Sequence, residues 1–158
     1  MVTISILAIL LTIAIPNLRS FIVNAELRGA ISTLQTDAMN ARAEAIRLVK
    51  PVVVRPIDPT AGWTSGWQVV TLDVSGADST VLFSRDSLSP SIAVAKDTLK
   101  PSVIRYDSAG FGRESNGAFL AGCVLLSAPY TKRESAIIFD AAGRPRICSG
   151  VDPSGCCT

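Results

Sequence analysis

Apolar residues follow two rules along this chain. From Met1 to Ile15 (MVTISILAILLTIAI) they are nearly continuous: Thr3, Ser5 and Thr12 are the only polar residues, and there is no charge, Gly or Pro. Pro16 and Asn17 follow, and the first charge is Arg19. From Phe21 to Leu48 the apolar residues become periodic. Leu27, Ile31, Leu34, Ala38, Ala41, Ala45 and Leu48 recur at alternating steps of four and three, which puts them on one stripe of a helix. Glu26, Arg28, Asp37, Arg42, Glu44 and Arg47 fall on the opposite faces. The later part of the stripe is alanine-rich, so another element can approach closely. Val49-Lys50-Pro51 ends the pattern, because the residue before proline disfavours the α region.

The pattern therefore predicts one helix from residue 2 to about 49, roughly 70 Å long. A globular domain of this size cannot cover such a rod, so its first half must project into lipid or other subunits. Pro16 removes a backbone donor and frees the Thr12 carbonyl, which predicts a kink there. The Thr12 hydroxyl or neighbouring helices would offset that loss in an apolar setting.

After residue 50 the period shortens to that of strands. Val52–Arg55, Trp67–Asp73, Val81–Arg85, Val103–Tyr106, a return strand from Phe111, Cys123–Ser127, Ser135–Asp140 and Arg146–Cys148 are the expected strands. Turn signals at Ser75-Gly76-Ala77-Asp78, Asp107-Ser108-Ala109-Gly110 and Asp140-Ala141-Ala142-Gly143 join them into hairpins, so the sheet should be mostly antiparallel. The segment 86–100 reads as a long loop. A long helix followed only by strands is an α+β layout, with the alanine stripe laid across the sheet. Three parts are expected: an apolar half-helix over 1–20, an amphipathic half over 21–50 and a β-rich head over 51–158.

Composition narrows the chemistry. Mean hydropathy is +0.39 and hydrophobic content 48%, much of it from the N-terminal run. The run lacks the leading positive charges and the small-x-small site of a secretory signal. It is also slightly short of the roughly 20 residues of a full span. The simplest reading is a membrane-inserting helix whose first few residues lie upstream of Met1. The net charge of +2 is too small to argue for nucleic-acid binding alone. The chain has no histidine, which excludes a Ser-His-Asp triad, a Cys-His pair and any His-ligated metal. No nucleophile motif is present, so the chain does not read as an enzyme.

The four cysteines, Cys123, Cys148, Cys156 and Cys157, all lie in the last part of the chain, beside Gly, Pro and Ser. That arrangement fits disulfides pinning a C-terminal tail in an oxidising compartment. Adjacent Cys156 and Cys157 make a poor ligand set beside C-x2-C, which disfavours zinc. Cys123 and Cys148 are each expected to bond one of Cys156 and Cys157, and either pairing is open. A vicinal bond is disfavoured, because neighbouring Cα atoms lie only about 3.8 Å apart.

The N-terminal MVTISILAILLTIAIPNLRSF resembles the first helix of type IV pilins and type II secretion pseudopilins. In that family the helix follows a leader that ends in Gly, and mature chains begin FTLIE. The resemblance implies that leader, a Phe and a Glu upstream of Met1, and it makes Pro16 the family's helix-kinking proline. Gly62-Trp63-Thr64-Ser65-Gly66-Trp67 is similar to the W-x-x-G-W strand entry of the FimT, FimU and GspH subgroup. Ile104 to Gly110 (IRYDSAG) is similar to its strand-and-turn element, and Ser135 to Arg146 (SAIIFDAAGRPR) to its closing G-R-x-R hairpin.

The resemblance implies a structural subunit without cofactor or small-molecule substrate. It would be held in the inner membrane with a periplasmic head, then assembled with minor and major pilins into an extracellular pilus. A pseudopilin of type II secretion is the neighbouring possibility. In some FimT-like pilins the G-R-x-R element contacts DNA during uptake. Arg144 and Arg146, two apart, would share a face on an extended strand and could clamp adjacent phosphates of double-stranded DNA. Lys132 and Arg133 would extend that patch. The plain alternative is a solvated hairpin. Trp63 and Trp67 read as core and turn-packing residues.

Overall fold

The computed structural model describes residues 2–73, 75–148 and Cys156, with side chains from residue 17 onward. It is an α+β structure, a long N-terminal helix packed on antiparallel sheets, with a disulfide at Cys156 near the C-terminus. Helix α1 (Val2–Leu48) is a single α-helix of 47 residues, so the backbone stays helical through Pro16. The kink expected at Pro16, and the Thr12 hydroxyl that would offset it, lie outside what is described for residues 1–16. Among the described residues, no helix is long and apolar enough to cross a membrane. The side chains of the apolar run itself lie outside that description.

The helix stops where the pattern breaks, by a local device. Val49 takes a left-handed φ of 53°. Its N–H donates to the Ile46 carbonyl at 3.4 Å, and the Lys50 N–H reaches back to the Ala45 carbonyl at 3.2 Å. These are the two bonds of a Schellman cap, with valine where glycine is usual.

Among the described residues nine strands follow: β1 (Val52–Pro56), β2 (Trp67–Leu72), β3 (Asp78–Arg85), β4 (Ala93–Asp97), β5 (Ile104–Tyr106), β6 (Gly112–Arg113), β7 (Gly122–Ala128), β8 (Arg133–Phe139) and β9 (Pro145–Cys148). They form two sheets, ordered β3-β2-β1-β5-β6 and β4-β7-β8-β9. Every strand pairing is antiparallel. Two features differ from the sequence reading. The segment expected as a loop over 86–100 contains β4, which pairs with β7 and forms the edge of the second sheet. The strands also divide between two sheets where one was expected. The hairpin signals are local, whereas the assignment of a strand to a sheet rests on partners far along the chain.

Helix α1 lies across both sheets, touching β1, β2 and β5 of the first and β7, β8 and β9 of the second. Val23, Leu27, Ile31 and Leu34 are buried in the core with Ala38, Ala41 and Ala45, the last three and Leu34 at 0% exposure. The alanines leave only a methyl group between helix and sheet, and Val52, Val54, Ile104, Leu126, Ile137 and Phe139 join them in one cluster. Burying each of these larger side chains contributes about 1.5–3 kcal/mol.

Candidate functional site

Two tryptophans fix how helix and sheets meet. Trp67 opens β2 and pairs in register with Arg85 at the end of β3. Directly opposed residues put their side chains on the same face, and here both reach Asp37 on the helix. The Trp67 Nε1–H donates to Asp37 Oδ2 at 2.9 Å. Arg85 donates from Nε to Oδ2 at 2.8 Å and from Nη2 to Oδ1 at 2.9 Å. The Asp37 side chain is 0% exposed, while that of Arg85 is 50% exposed. Asp37, expected on a solvent-facing side of the helix, is thus buried among its partners. Its charge is compensated from a strand some fifty residues away, which no helical periodicity reveals.

Trp63 sits in a 3-10 turn (Gly62–Ser65) just before β2 and is 1% exposed. Its Nε1–H donates to Asp97 Oδ2 at 2.8 Å, at the end of β4 in the other sheet. Asp97 also accepts from the Leu99 N–H at 2.9 Å and from the Ser102 hydroxyl. The W-x-x-G-W segment therefore ties the first sheet to the helix through one indole and to the second sheet through the other. Gly66 between them has φ 86°, and a Cβ there would lie 2.2 Å from the Arg85 carbonyl oxygen. Only glycine fits that approach.

The closing hairpin is built on Asp140. The Gly143 N–H donates to its carbonyl at 2.8 Å and the Arg144 N–H to its Oδ1 at 2.9 Å. Gly143 has φ 73°, and a Cβ on it would meet the Gly110 carbonyl oxygen at 2.7 Å and Tyr106 Cε1 at 3.0 Å. This glycine is where the second sheet's hairpin presses against the turn that follows β5. The helix holds the same junction. Arg42 Nε donates to the Gly110 carbonyl at 2.8 Å, and Gln35 Nε2 to the Pro145 carbonyl at 3.2 Å. The Tyr106 hydroxyl is buried there with no hydrogen-bond partner among the described residues, and burial raises its pKa.

Arg144 and Arg146 are both exposed and Pro145 between them is buried, so the two guanidinium groups leave the hairpin on one side. Neither joins an ion pair among the described residues. Arg146 stands opposite Ile138, which stands opposite Cys123, so the arginine shares its face of the sheet with the disulfide. Lys132 and Arg133 are exposed but sit at the start of β8, whereas Arg144 lies just beyond its end. Most of the length of β8 lies between the two pairs, about 20 Å. The structure therefore does not gather the four basic residues into one patch. Lys132 and Arg133 line a different cleft, against Asn24 and Arg28 of the helix.

Cys123 of β7 is bonded to Cys156, with Cα atoms 6.1 Å apart. Cys148 is disulfide-bonded as well, and Cys157 lies outside the described residues. Among the described residues no cluster of Cys, Asp or Glu could hold a metal ion.

A 47-residue helix covered on one stripe by two antiparallel sheets is the plan of a pilin-type subunit. The chain belongs to the GspH family, whose model, described as Type II transport protein GspH, matches residues 30–146. That places it among the minor pilins and pseudopilins of the FimT, FimU and GspH kind. Its fold is similar to the type IV minor pilin FimU of Pseudomonas aeruginosa (strain PAO1), seen in two crystal forms. One has a TM-score of 0.63 at 17% identity over 86% of this chain and 98% of that one. The other has a TM-score of 0.59 at 17% identity over 82% and 99%. No curated protein matches the chain.

Proposed function

We propose that this chain is a minor pilin of a bacterial type IV pilus, a structural subunit of the tip or of the complex that primes assembly. The observation that carries the reading is the mismatch between helix and head. The core-facing stripe begins at Val23, while Leu18, Phe21 and Ile22 are 60%, 71% and 48% exposed. Before them lies the apolar run from Met1 to Ile15.

In this reading residues 1–20 hold the subunit in the inner membrane, 21–50 carry the head, and 51–158 form that head in the periplasm. On assembly the same apolar surface moves from lipid to neighbouring pilin helices. Both settings are apolar, so the transfer costs little hydrophobic energy. Partners are then other minor and major pilins, and no cofactor or small-molecule substrate is involved.

Deleting the gene tests this: surface pili in sheared fractions should fall and return on complementation. Full piliation with lost secretion of folded periplasmic proteins would overturn the pilus reading in favour of a type II secretion pseudopilin. The family match is the observation that favours that second reading. A third, narrower role rests on the Arg144 and Arg146 pair, whose shared side and lack of an ion pair among the described residues suit contact with the phosphates of double-stranded DNA.

A further inference from the structure

Positive charge collects where the helix passes from apolar to polar sequence. Arg19 is the first charged residue of the chain. Its guanidinium carbon lies 4.7 Å from the ring centroid of Tyr130, in the turn between β7 and β8. The next residue of that turn, Thr131, donates its hydroxyl to Asn24 Oδ1 at 2.8 Å. Beyond it a cleft of 380 Å³ opens between helix and β8, lined by Asn24, Arg28, Lys132, Arg133, Glu134 and Ser135. Arg28, Lys132 and Arg133 are exposed, and their side chains make no hydrogen bond or ion pair among the described residues. Against these four cations, Glu134 lines the same cleft and Glu26 stands two residues before Arg28 on the helix. Leu18, Phe21 and Ile22, apolar and exposed, lie at the same level of the helix.

We propose that this surface rests on the anionic phospholipid headgroups of the membrane that holds the helix. The inference depends on the reading that the apolar run inserts in that membrane. At 1.5 Å per residue Arg19 stands about 6 Å beyond Ile15, Asn24 about 14 Å and Arg28 about 20 Å. Each headgroup layer is about 5–8 Å thick. The Arg19–Tyr130 pair therefore falls within it, where amphipathic aromatic side chains concentrate. Lys132 and Arg133 follow at the level of Asn24, within about one Debye length of the layer at physiological salt, which is as far as an anionic surface attracts them. The turn is anchored to the helix at both Arg19 and Asn24, so it is carried to that depth with the helix. The surface thereby sets which side of the head faces the membrane before assembly.

The test uses the full chain in vesicles of phosphatidylcholine alone and of phosphatidylcholine with phosphatidylglycerol. Flotation reports insertion, and amide hydrogen exchange over 129–134 reports contact of the turn. The expected result is flotation with both vesicles, and exchange slowed several-fold only in the anionic ones. High salt and the Lys132→Gln/Arg133→Gln variant should each abolish the several-fold slowing. The variant should still float and melt as the parent does. Equal exchange in both vesicles, with flotation intact, would overturn the headgroup contact alone. A chain that floats with neither would overturn the membrane reading and this inference together.

Discussion

Asp37 is held by three hydrogen bonds inside the packed layer between helix and first sheet, and two of them come from a half-exposed arginine. Hydrogen bonds to charged groups each contribute about 1.5–3 kcal/mol. Arg85→Ala leaves a buried carboxylate with the Trp67 N–H alone, whereas Asp37→Asn keeps an acceptor for that indole and removes the buried charge. The expected order in urea melts is therefore Arg85→Ala more destabilised than Asp37→Asn, with the double variant less destabilised than the sum. Additive losses would show that the pair is not coupled. None of this was legible in the sequence, where Asp37 looks like any charge on a helix. The two tryptophans were legible as packing residues, but their N–H partners sit on elements that only the fold brings near.

Asp107 gives a pH handle at the same scale. Burial tends to raise its pKa. The Arg113 side chain, the Phe111 and Ala109 N–H groups and the Arg113 charge outweigh that and hold it below the usual carboxylate range. A carboxylate depressed by folding adds stability that is present above its unfolded pKa and is lost as pH falls through the folded one. Stability from this turn should therefore decline below about pH 4. Asp107→Asn should lower the melting temperature at pH 7, and the gap to the parent should narrow at pH 3. A gap that stays constant between the two would show that the turn owes nothing to the charge.

At the scale of elements, the helix was readable because seven positions from Leu27 to Leu48 keep one period, and one-face burial is what such a period records. Its end was readable from Pro51, but not the manner of ending. Val49 occupies the left-handed position of the cap, is 73% exposed, and is β-branched, the side-chain type least suited to that conformation. Val49→Gly should relieve that strain and raise stability by about 1 kcal/mol. A fall in the melting temperature would mean that the valine contributes more through contact than it costs in conformation. β4 is not legible because AVAKD is short, carries a single β-branched residue and lies inside a Ser- and Pro-rich segment that reads as loop, and its pairing with β7 makes it a strand. The tail is the other element-scale question. With Cys123 bonded to Cys156 and Cys148 also bonded, peptide mapping without reductant should recover a Cys148–Cys157 fragment. Recovery of Cys157 as a free thiol would sink that pairing. Loss of the Cys123–Cys156 bridge should cost about 2–5 kcal/mol.

The whole molecule is a rod about 70 Å long with a head on its second half, and its charge lies in separate places. Arg144 and Arg146 leave one end of the β8–β9 hairpin, while Lys132 and Arg133 sit about 20 Å away against the helix. If the hairpin arginines touch DNA, binding should be indifferent to sequence, because phosphate contacts carry none. It should weaken steeply with salt. Arg144→Ala/Arg146→Ala should reduce the salt slope by about two, one for each lost phosphate contact. Lys132→Ala/Arg133→Ala should leave the slope of the full chain in detergent nearly unchanged, since those residues lie at the far end of the hairpin. Gly143 supplies the structural control. Its contact with Gly110 and Tyr106 fixes the hairpin whether or not DNA is bound, so Gly143→Ala should destabilise the head and the arginine pair should not. In cells, the arginine variant should take up less DNA while its pili persist. No retardation of duplex DNA by the parent chain at low salt, with uptake unchanged in the variant, would reduce the hairpin to the joint between the two sheets.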